Sequence, residues 1–379
     1  MVPGPTALPP SVVAAGARPI LYHRSDEFTT LWAETLAALG RVVQTAGEVL
    51  VFSASGSGAM ASALVNVARP GDRVLVASCG AFGERWIEIA ADHGIEVRHV
   101  AGEWGSEVDP DAVAAALAEE PEVGVVLTTQ CETSTGAVND LPALREAAGE
   151  RLLVVDAVSG LAVVDLPMDR WGMDVVVGGS QKGLMTPPGL GFVAVSERAL
   201  EWAADRGDPG YYLAWERTRA GQNQLPRRTA FTPPVTLVAQ LHEALRLIEA
   251  EGLEAVFARH AVLGRACRAA VGALGLSLLG PDDPRANVCT AFWNPDGVEG
   301  ETIPRLMKSR FGVEVAGGQG RLAGRVVRIG HCGWCAPSDV LVAVGALELA
   351  LVELGLPVEP GDGVRAVQRV LADAEPRAL

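Results

Sequence analysis

The chain has 379 residues, 49% of them apolar, which is enough for a large core and two domains and argues against disorder over most of its length. Its 31 basic residues face 46 acidic ones, a formal charge of −15, and no basic cluster is dense enough to suggest a nucleic-acid face. That balance suits a soluble protein with a small-molecule substrate. No apolar run reaches membrane-span length, and the Met1-Val-Pro-Gly start lacks the basic and apolar regions of a signal peptide. A cytoplasmic protein is the expectation.

Residues 1–24 are rich in proline and end in Tyr22-His23-Arg24, which reads as an extended arm lying on the body or on a partner subunit. Phe28, Leu31, Trp32, Leu36, Leu39, Val42 and Val43 are spaced as one face of a helix over 26–46. Strand and helix patterns then alternate. Val49–Phe52, Val74–Val76, Val97–Val100, Val123–Thr128, Leu152–Asp156 and Val175–Val177 read as strands, with helical runs at 59–68, 83–93, 110–119 and 141–149. Such alternation implies an α/β fold with a mostly parallel sheet and helices on both faces. Gly191–Val195 follows a Pro-rich loop and reads as an antiparallel strand. Residues 203–234, with their Gly, Pro, Tyr and Arg, suit a long active-site or interface loop. One helix over about 235–274 leads into a smaller α+β domain with candidate strands Leu276–Leu279, Cys289–Trp293, Val313–Val315 and Val326–Ile329. The tail after Pro357 reads as a polar loop and a short helix. The division is thus an arm (1–24), a large domain (25–245) and a small C-terminal domain (246–379).

Lys182 stands out in Asp174-Val-Val-Val-Gly-Gly-Ser-Gln-Lys182-Gly, where a buried strand runs into small residues. A buried, charged and unpaired lysine is costly, and an amine that forms a Schiff base with an aldehyde cofactor avoids that cost. Taken alone, a lysine snorkelling out of a strand end explains the residue as well. Asp156, closing the apolar run Leu152-Leu-Val-Val-Asp156, is suited to pair with a protonated pyridine nitrogen and make the ring an electron sink. Ser53-Ala-Ser55-Gly56-Ser57-Gly58 joins a strand to a helix and could cradle a phosphate on backbone N–H groups. A flexible turn with an N-cap is an equal reading of that loop, which matches neither the P-loop nor the dinucleotide fingerprint.

Phe82 follows a strand where crevices form in open sheets and could stack on a planar ring, though a core aromatic is the competing account. Glu132-Thr133-Ser134-Thr135-Gly136 lies at the same sheet edge, with hydroxyls for a cofactor oxygen or for plain turn chemistry. Arg328, in Val326-Val-Arg328-Ile-Gly330, needs an anion: a substrate carboxylate fits its fork, and so does a salt bridge. The six cysteines include Cys332-Gly-Trp-Cys335, but no second pair or nearby histidines complete a zinc set. No metal is expected, and ordinary buried thiols are the better reading.

Together these runs resemble the class V aminotransferases of the fold-type I pyridoxal-phosphate enzymes, especially the alanine–glyoxylate and serine–pyruvate aminotransferases. The likeness spans nearly the whole chain, from Pro5-Thr-Ala-Leu-Pro-Pro through Ser57-Gly-Ala-Met-Ala-Ser-Ala-Leu-Val-Asn66 and Pro70-Gly-Asp72. It continues through Glu132-Thr-Ser-Thr-Gly136, Val155-Asp-Ala-Val-Ser159, Gly179-Ser-Gln-Lys182 and Pro187-Pro-Gly189 to Arg328-Ile-Gly330. The resemblance implies that Lys182 forms the Schiff base with pyridoxal 5′-phosphate and that Asp156 holds the pyridine nitrogen. Phe82 would stack on the ring, with Val158 beside it, and Ser55, Gly56, Ser57 and Gln181 would hold the phosphate. Thr133 would hold the phenolic oxygen and Arg328 the substrate α-carboxylate. Thr232 would reach the phosphate of the neighbouring subunit's cofactor, so a homodimer with shared sites is implied. Two positions depart from the alanine–glyoxylate enzymes: Ser57 replaces a histidine, and Thr229 replaces a tyrosine. The activity implied is transfer of an amino group from a small α-amino acid to a 2-oxo acid, glyoxylate or pyruvate. A lyase, aldolase or cysteine desulfurase on the same cofactor is the rival, and a non-catalytic binding protein with this fold the more distant one.

Overall fold

Strands apolar on both sides alternate with period two, and this alternation divides the core into two layers. The computed structural model describes residues 1–206 and 209–375. Its strands in the first half are β1 (Glu48–Phe52), β2 (Arg73–Ser78), β3 (Glu96–Ala101), β4 (Val125–Thr129), β5 (Cys131–Glu132), β6 (Ala137–Val138), β7 (Leu152–Asp156), β8 (Val175–Gly179) and β9 (Gly191–Val195). Seven of them form one sheet in the order β1-β9-β8-β7-β4-β2-β3, while β5 and β6 pair as a separate ribbon. Only β9 runs against its neighbours in the large sheet, as expected for Gly191–Val195.

On β7, Leu153 and Val155 join the layer of Trp32 and Leu39, from the helix Asp26–Val43. Leu152 and Val154 join the opposite layer, with Met60 and Leu64 of the helix Gly56–Val67. Asp156 continues this second set, so strand geometry aims it at the face where the Gly56 helix begins. The helix Ala81–Asp92, which carries Phe82, is anchored by buried Trp86, whose indole N–H donates to Thr128 O at 3.1 Å.

The second sheet has its own core. Its strands β10 (Cys289–Trp293), β11 (Ala316–Gly317) and β12 (Val326–Gly330) are antiparallel in the order β10-β12-β11. Helices Leu253–Ala273 and Pro337–Glu353 pack with Val327 and Ile329 there. The helix Asp362–Ala372 closes the tail.

Five expectations differ from the structure. The single helix over 235–274 is two, Val235–Glu251 and Leu253–Ala273, because Gly252 sits between them at φ +89°, outside helical geometry. Leu276–Leu279 is no strand, only a bridge from Leu278 to Phe292, and the third strand is Ala316–Gly317 rather than Val313–Val315. In both stretches the apolar residues are buried or partly buried against the core, and burial alone made them read as strands. The arm contains a helix, Pro10–Gly16, started by a proline at its first position and seated through Val12 and Ala15. Gln240 holds it by donating to Val12 O at 3.1 Å. Within the segment 203–234 lies a further helix, Trp215–Asn223, whose Trp215 is buried.

Candidate active site

The carboxyl ends of β7 and β8 and the start of the Gly56 helix face one another across a cleft. Ser55, Gly56, Ser57, Phe82, Asp156, Val158, Gln181 and Lys182 line a single cavity there, so eight of the eleven residues singled out from the sequence meet. Gly56 is required by the packing: a Cβ would stand 2.7 Å from Val158 Cγ2. Ser55 caps the helix, its hydroxyl accepting from Gly58 N, which leaves the first-turn N–H groups facing the cavity.

Asp156 is 5% exposed and accepts one backbone bond, from Val158 N at 2.9 Å. Among the described residues no cation lies within ion-pair distance of it. Burial pushes its carboxyl up to about 6, against the neighbouring positive charges of Arg85 and Lys182. Burial acts on Lys182 in the opposite sense, holding its amine below the usual lysine range. Lys182 Nζ lies 6.0 Å from the centroid of the Phe82 ring and donates to Pro3 O at 2.7 Å.

Thr133 and Arg328 meet beside this cavity, across the two sheets. Val327 and Ile329 face the small core, so alternation turns Arg328 the other way, where it is 5% exposed. Its Nη1 donates to Thr133 O at 2.6 Å and its Nε to Gly317 O at 2.8 Å. The salt bridge that competed for Arg328 in the sequence is not formed by any described carboxylate. Thr133 Oγ1 and Gln181 Oε1 are buried with no hydrogen-bond partner among the described residues. Thr232 is exposed and does not line the Lys182 cavity of its own chain.

Sequence reasoning missed Arg85. It lines the same cavity, donates from Nη1 to Ser57 Oγ at 3.1 Å, and sets its guanidinium 4.8 Å from the Phe82 ring centroid. Among the described residues no carboxylate pairs with it. Its spacing of three from Phe82 was the available signal, since residues three apart share a helix face.

The segment 10–329 matches the family model for class-V aminotransferases. The chain belongs to that family. L-aspartate–glyoxylate aminotransferase of Paracoccus denitrificans is 36% identical over 97% of this chain and 94% of its own. The chain is also 44% identical to a protein of Synechococcus sp. (strain PCC 6716) named soluble hydrogenase, small subunit, over 99% of this chain and 98% of that one. The solved ureidoglycine–glyoxylate aminotransferase of Bacillus subtilis superposes with a TM-score of 0.93 at 30% identity, covering 98% of this chain and 97% of that one. The fold is therefore the fold-type I arrangement expected, and the enzyme is an aminotransferase whose cofactor is pyridoxal 5′-phosphate.

Class-V chemistry fits the donors present. A helix start with a nearby guanidinium suits a phosphate, an isolated buried carboxylate suits a pyridinium, and two orphaned buried oxygens await polar partners. All six cysteines are free and buried, and burial raises the thiols, which is the reverse of what a nucleophilic desulfurase thiol needs. Among the described residues no group of three or more His, Cys, Asp or Glu is arranged to hold a metal, and no helix is long and apolar enough to cross a membrane.

Asp156 makes the apoprotein's stability depend on pH. The folded carboxyl titrates near 6 and the ordinary one near 3.8, so the stabilisation is full below about 3.8 and is lost as pH rises through about 6. Asp156→Asn is thus expected to stabilise the apoprotein at pH 7.5 by up to roughly 3 kcal/mol, and hardly at all near pH 4. Urea denaturation of both proteins at the two pH values checks this. An equal difference at both would show that the ionised carboxylate is not its source.

Proposed function

We propose that this enzyme moves the amino group of a small α-amino acid to glyoxylate or pyruvate. The observation that carries the reading is the shared cavity of Lys182 and Asp156, with Arg328 of the second sheet near enough for its charge to act on Lys182. The two named transaminases above support glyoxylate as acceptor, since both names contain it while their donors differ. The side chains around Lys182 fit amine chemistry rather than the activity in the Synechococcus relative's name.

Ser55, Gly56, Ser57 and Gln181 would hold the cofactor's phosphate, joined by Arg85, which pairs with no described carboxylate. Phe82 and Val158 would bound the ring, Thr133 would meet its phenolic oxygen, and Asp156 its pyridine nitrogen. When bound, pyridoxal phosphate supplies an aldehyde for amine exchange and a ring that takes up the electron pair left at the substrate's α-carbon. Lys182, held toward its neutral form by burial, takes the α-proton and returns it. Arg328 exchanges the carbonyl of Thr133 for the substrate carboxylate, a bidentate and charge-assisted partner.

The active unit is read as a homodimer. Thr232 is exposed beyond its own cavity, and Ile20 (75% exposed), Tyr22 (65%) and Leu225 (91%) are large apolar side chains suited to a partner's surface. Six free thiols suit the reducing cytoplasm.

Lys182→Ala should lose the borohydride-reducible link to cofactor and nearly all turnover with an amino donor and glyoxylate; a variant transaminating at the wild-type rate refutes the reading. Arg328→Lys keeps the charge but loses the fork, so kcat/KM for α-amino acids should fall on the order of tenfold to a hundredfold, with cofactor affinity little changed. Weakened cofactor binding as the main effect would instead mark Arg328 as structural. Arg85→Gln should weaken pyridoxal phosphate on the order of tenfold or more, through loss of one charge-assisted bond. Titration with phosphate-free pyridoxal is the control, and an equal loss there would assign Arg85 to the Phe82 ring rather than to the phosphate.

A further inference from the structure

The first residues of the chain lie against Lys182. Besides the 2.7 Å bond from Lys182 Nζ to Pro3 O, Thr6 Oγ1 donates to Lys182 O at 3.0 Å and Thr6 N to Gln181 O at 3.1 Å. The same stretch is tied to the other sheet, where Gly330 N donates to Met1 O at 2.9 Å, two residues beyond Arg328. Gly4 permits the approach. Its φ is +140°, and a Cβ there would stand 2.4, 2.6 and 2.7 Å from Lys182 Cδ, Cε and Nζ. Any other residue would push either the segment or the lysine away.

A free lysine side chain ends four rotatable bonds from its backbone, and a base works only when its lone pair points at the proton. Fixing one N–H of the amine restricts its lone pair to the two remaining tetrahedral directions. We propose that the Pro3 carbonyl orients Lys182 for proton transfer and that Gly4 is the positioning residue that keeps this carbonyl in reach. The inference rests on Lys182 being the base of the transamination. In the step, the C–H bond at the substrate α-carbon breaks, its electron pair stays with the organic framework, and the proton forms a new N–H on Lys182. Pro3 O accepts one N–H both before and after, so the same amine returns the proton without turning away.

Gly4→Ala tests this, and the sequence makes the test clean because the chain has two lysines, Lys182 and Lys308. In apoprotein labelled with ¹³C-lysine, the Lys182 ε-methylene should relax as an ordered group, distinct from exposed Lys308. Gly4→Ala should make Lys182 relax as Lys308 does. In the cofactor-loaded enzyme the half-reaction with an amino acid should slow on the order of tenfold to a hundredfold, as for a misplaced catalytic group, with KM and cofactor affinity little moved. The isotope effect from α-deuterated substrate should grow. In a Lys182→Ala background rescued by added methylamine, Gly4→Ala should cost nothing further, since its effect acts through Lys182. An unchanged lysine order and isotope effect, or an equal cost in the rescued background, overturns the orienting role. If Gly4→Ala does not fold, Thr6→Val removes the hydroxyl anchor alone and must show the same two changes in smaller degree; their absence overturns the role as well. Loss of the broader reading looks different, because it appears as transamination by Lys182→Ala without added amine.

Discussion

A buried carboxyl and a partly buried amine at the carboxyl end of one sheet constrain everything around them. Asp156 has a single backbone donor, and Lys182 has a single backbone acceptor. Desolvation drives both toward neutrality, raising the carboxyl and lowering the amine. Neither is satisfied as an ion by the protein alone. The cleft therefore favours a ligand that brings a cation for Asp156 and an electrophile for the amine, while its anion meets the Gly56 helix start and Arg85. Stability given up by desolvating both groups is recovered when a ligand pairs with them, which is the pattern of preorganised electrostatics.

The β5–β6 ribbon connects the pieces of this site that lie far apart in sequence. Glu132 is buried and accepts from Phe82 N, Gly83 N, Ser134 N and Ser134 Oγ at 2.6–3.0 Å. It thereby caps the helix that carries Phe82 and Arg85, whose first N–H groups would otherwise be orphaned. Burial raises its carboxyl too, with these four donors pulling the other way. The next residue, Thr133, gives its carbonyl to Arg328 and leaves its hydroxyl unpartnered. One turn thus positions an aromatic face, a hydroxyl and a guanidinium, so strain in any of the three is felt by the others.

Much of this was legible in the sequence. Asp156 ends an apolar run and Lys182 follows one across Gly-Gly-Ser-Gln, and a charge in such a place has few places to go. The strands of the large sheet appeared as β-rich runs within a residue or two of their ends, because strands covered on both sides carry a strong signal. Arg85 is marked only by its spacing from Phe82, a weak signal, because an arginine on an amphipathic helix looks like a solvated face until its neighbours are known. The contact between Thr133 and Arg328 spans 195 residues and belongs to tertiary structure alone. Pro3 was invisible for another reason: it acts through a backbone carbonyl, which leaves no mark in residue type. Gly252 is visible in the sequence, but a glycine in a long helical pattern is tolerated as often as it breaks the helix, and here it is a break.

The layout also separates what is common to the reaction from what varies. Every transamination of an α-amino acid needs the α-carboxylate held, the α-proton moved and the ring nitrogen kept charged. In the proposed function those tasks would fall to Asp156 and Arg328, on regular strands where position is stiffest, and to Lys182 in the turn just after another strand. The donor's side chain has no such fixed partner. It must be read by what borders the cleft, the segment 1–6 at Lys182 and the Gly317 turn next to Arg328; Tyr212 lines a separate pocket with Ser53 and Phe231. Tyr212 is already stacked on Phe231 at 4.7 Å between ring centroids, beside Thr232. In the relatives whose names share glyoxylate, the donors are aspartate and ureidoglycine, which differ in the group beyond the α-carbon. A rigid reaction centre with a variable rim accounts for that spread, since changing the rim alters which donor fits without moving Lys182, Asp156 or Arg328.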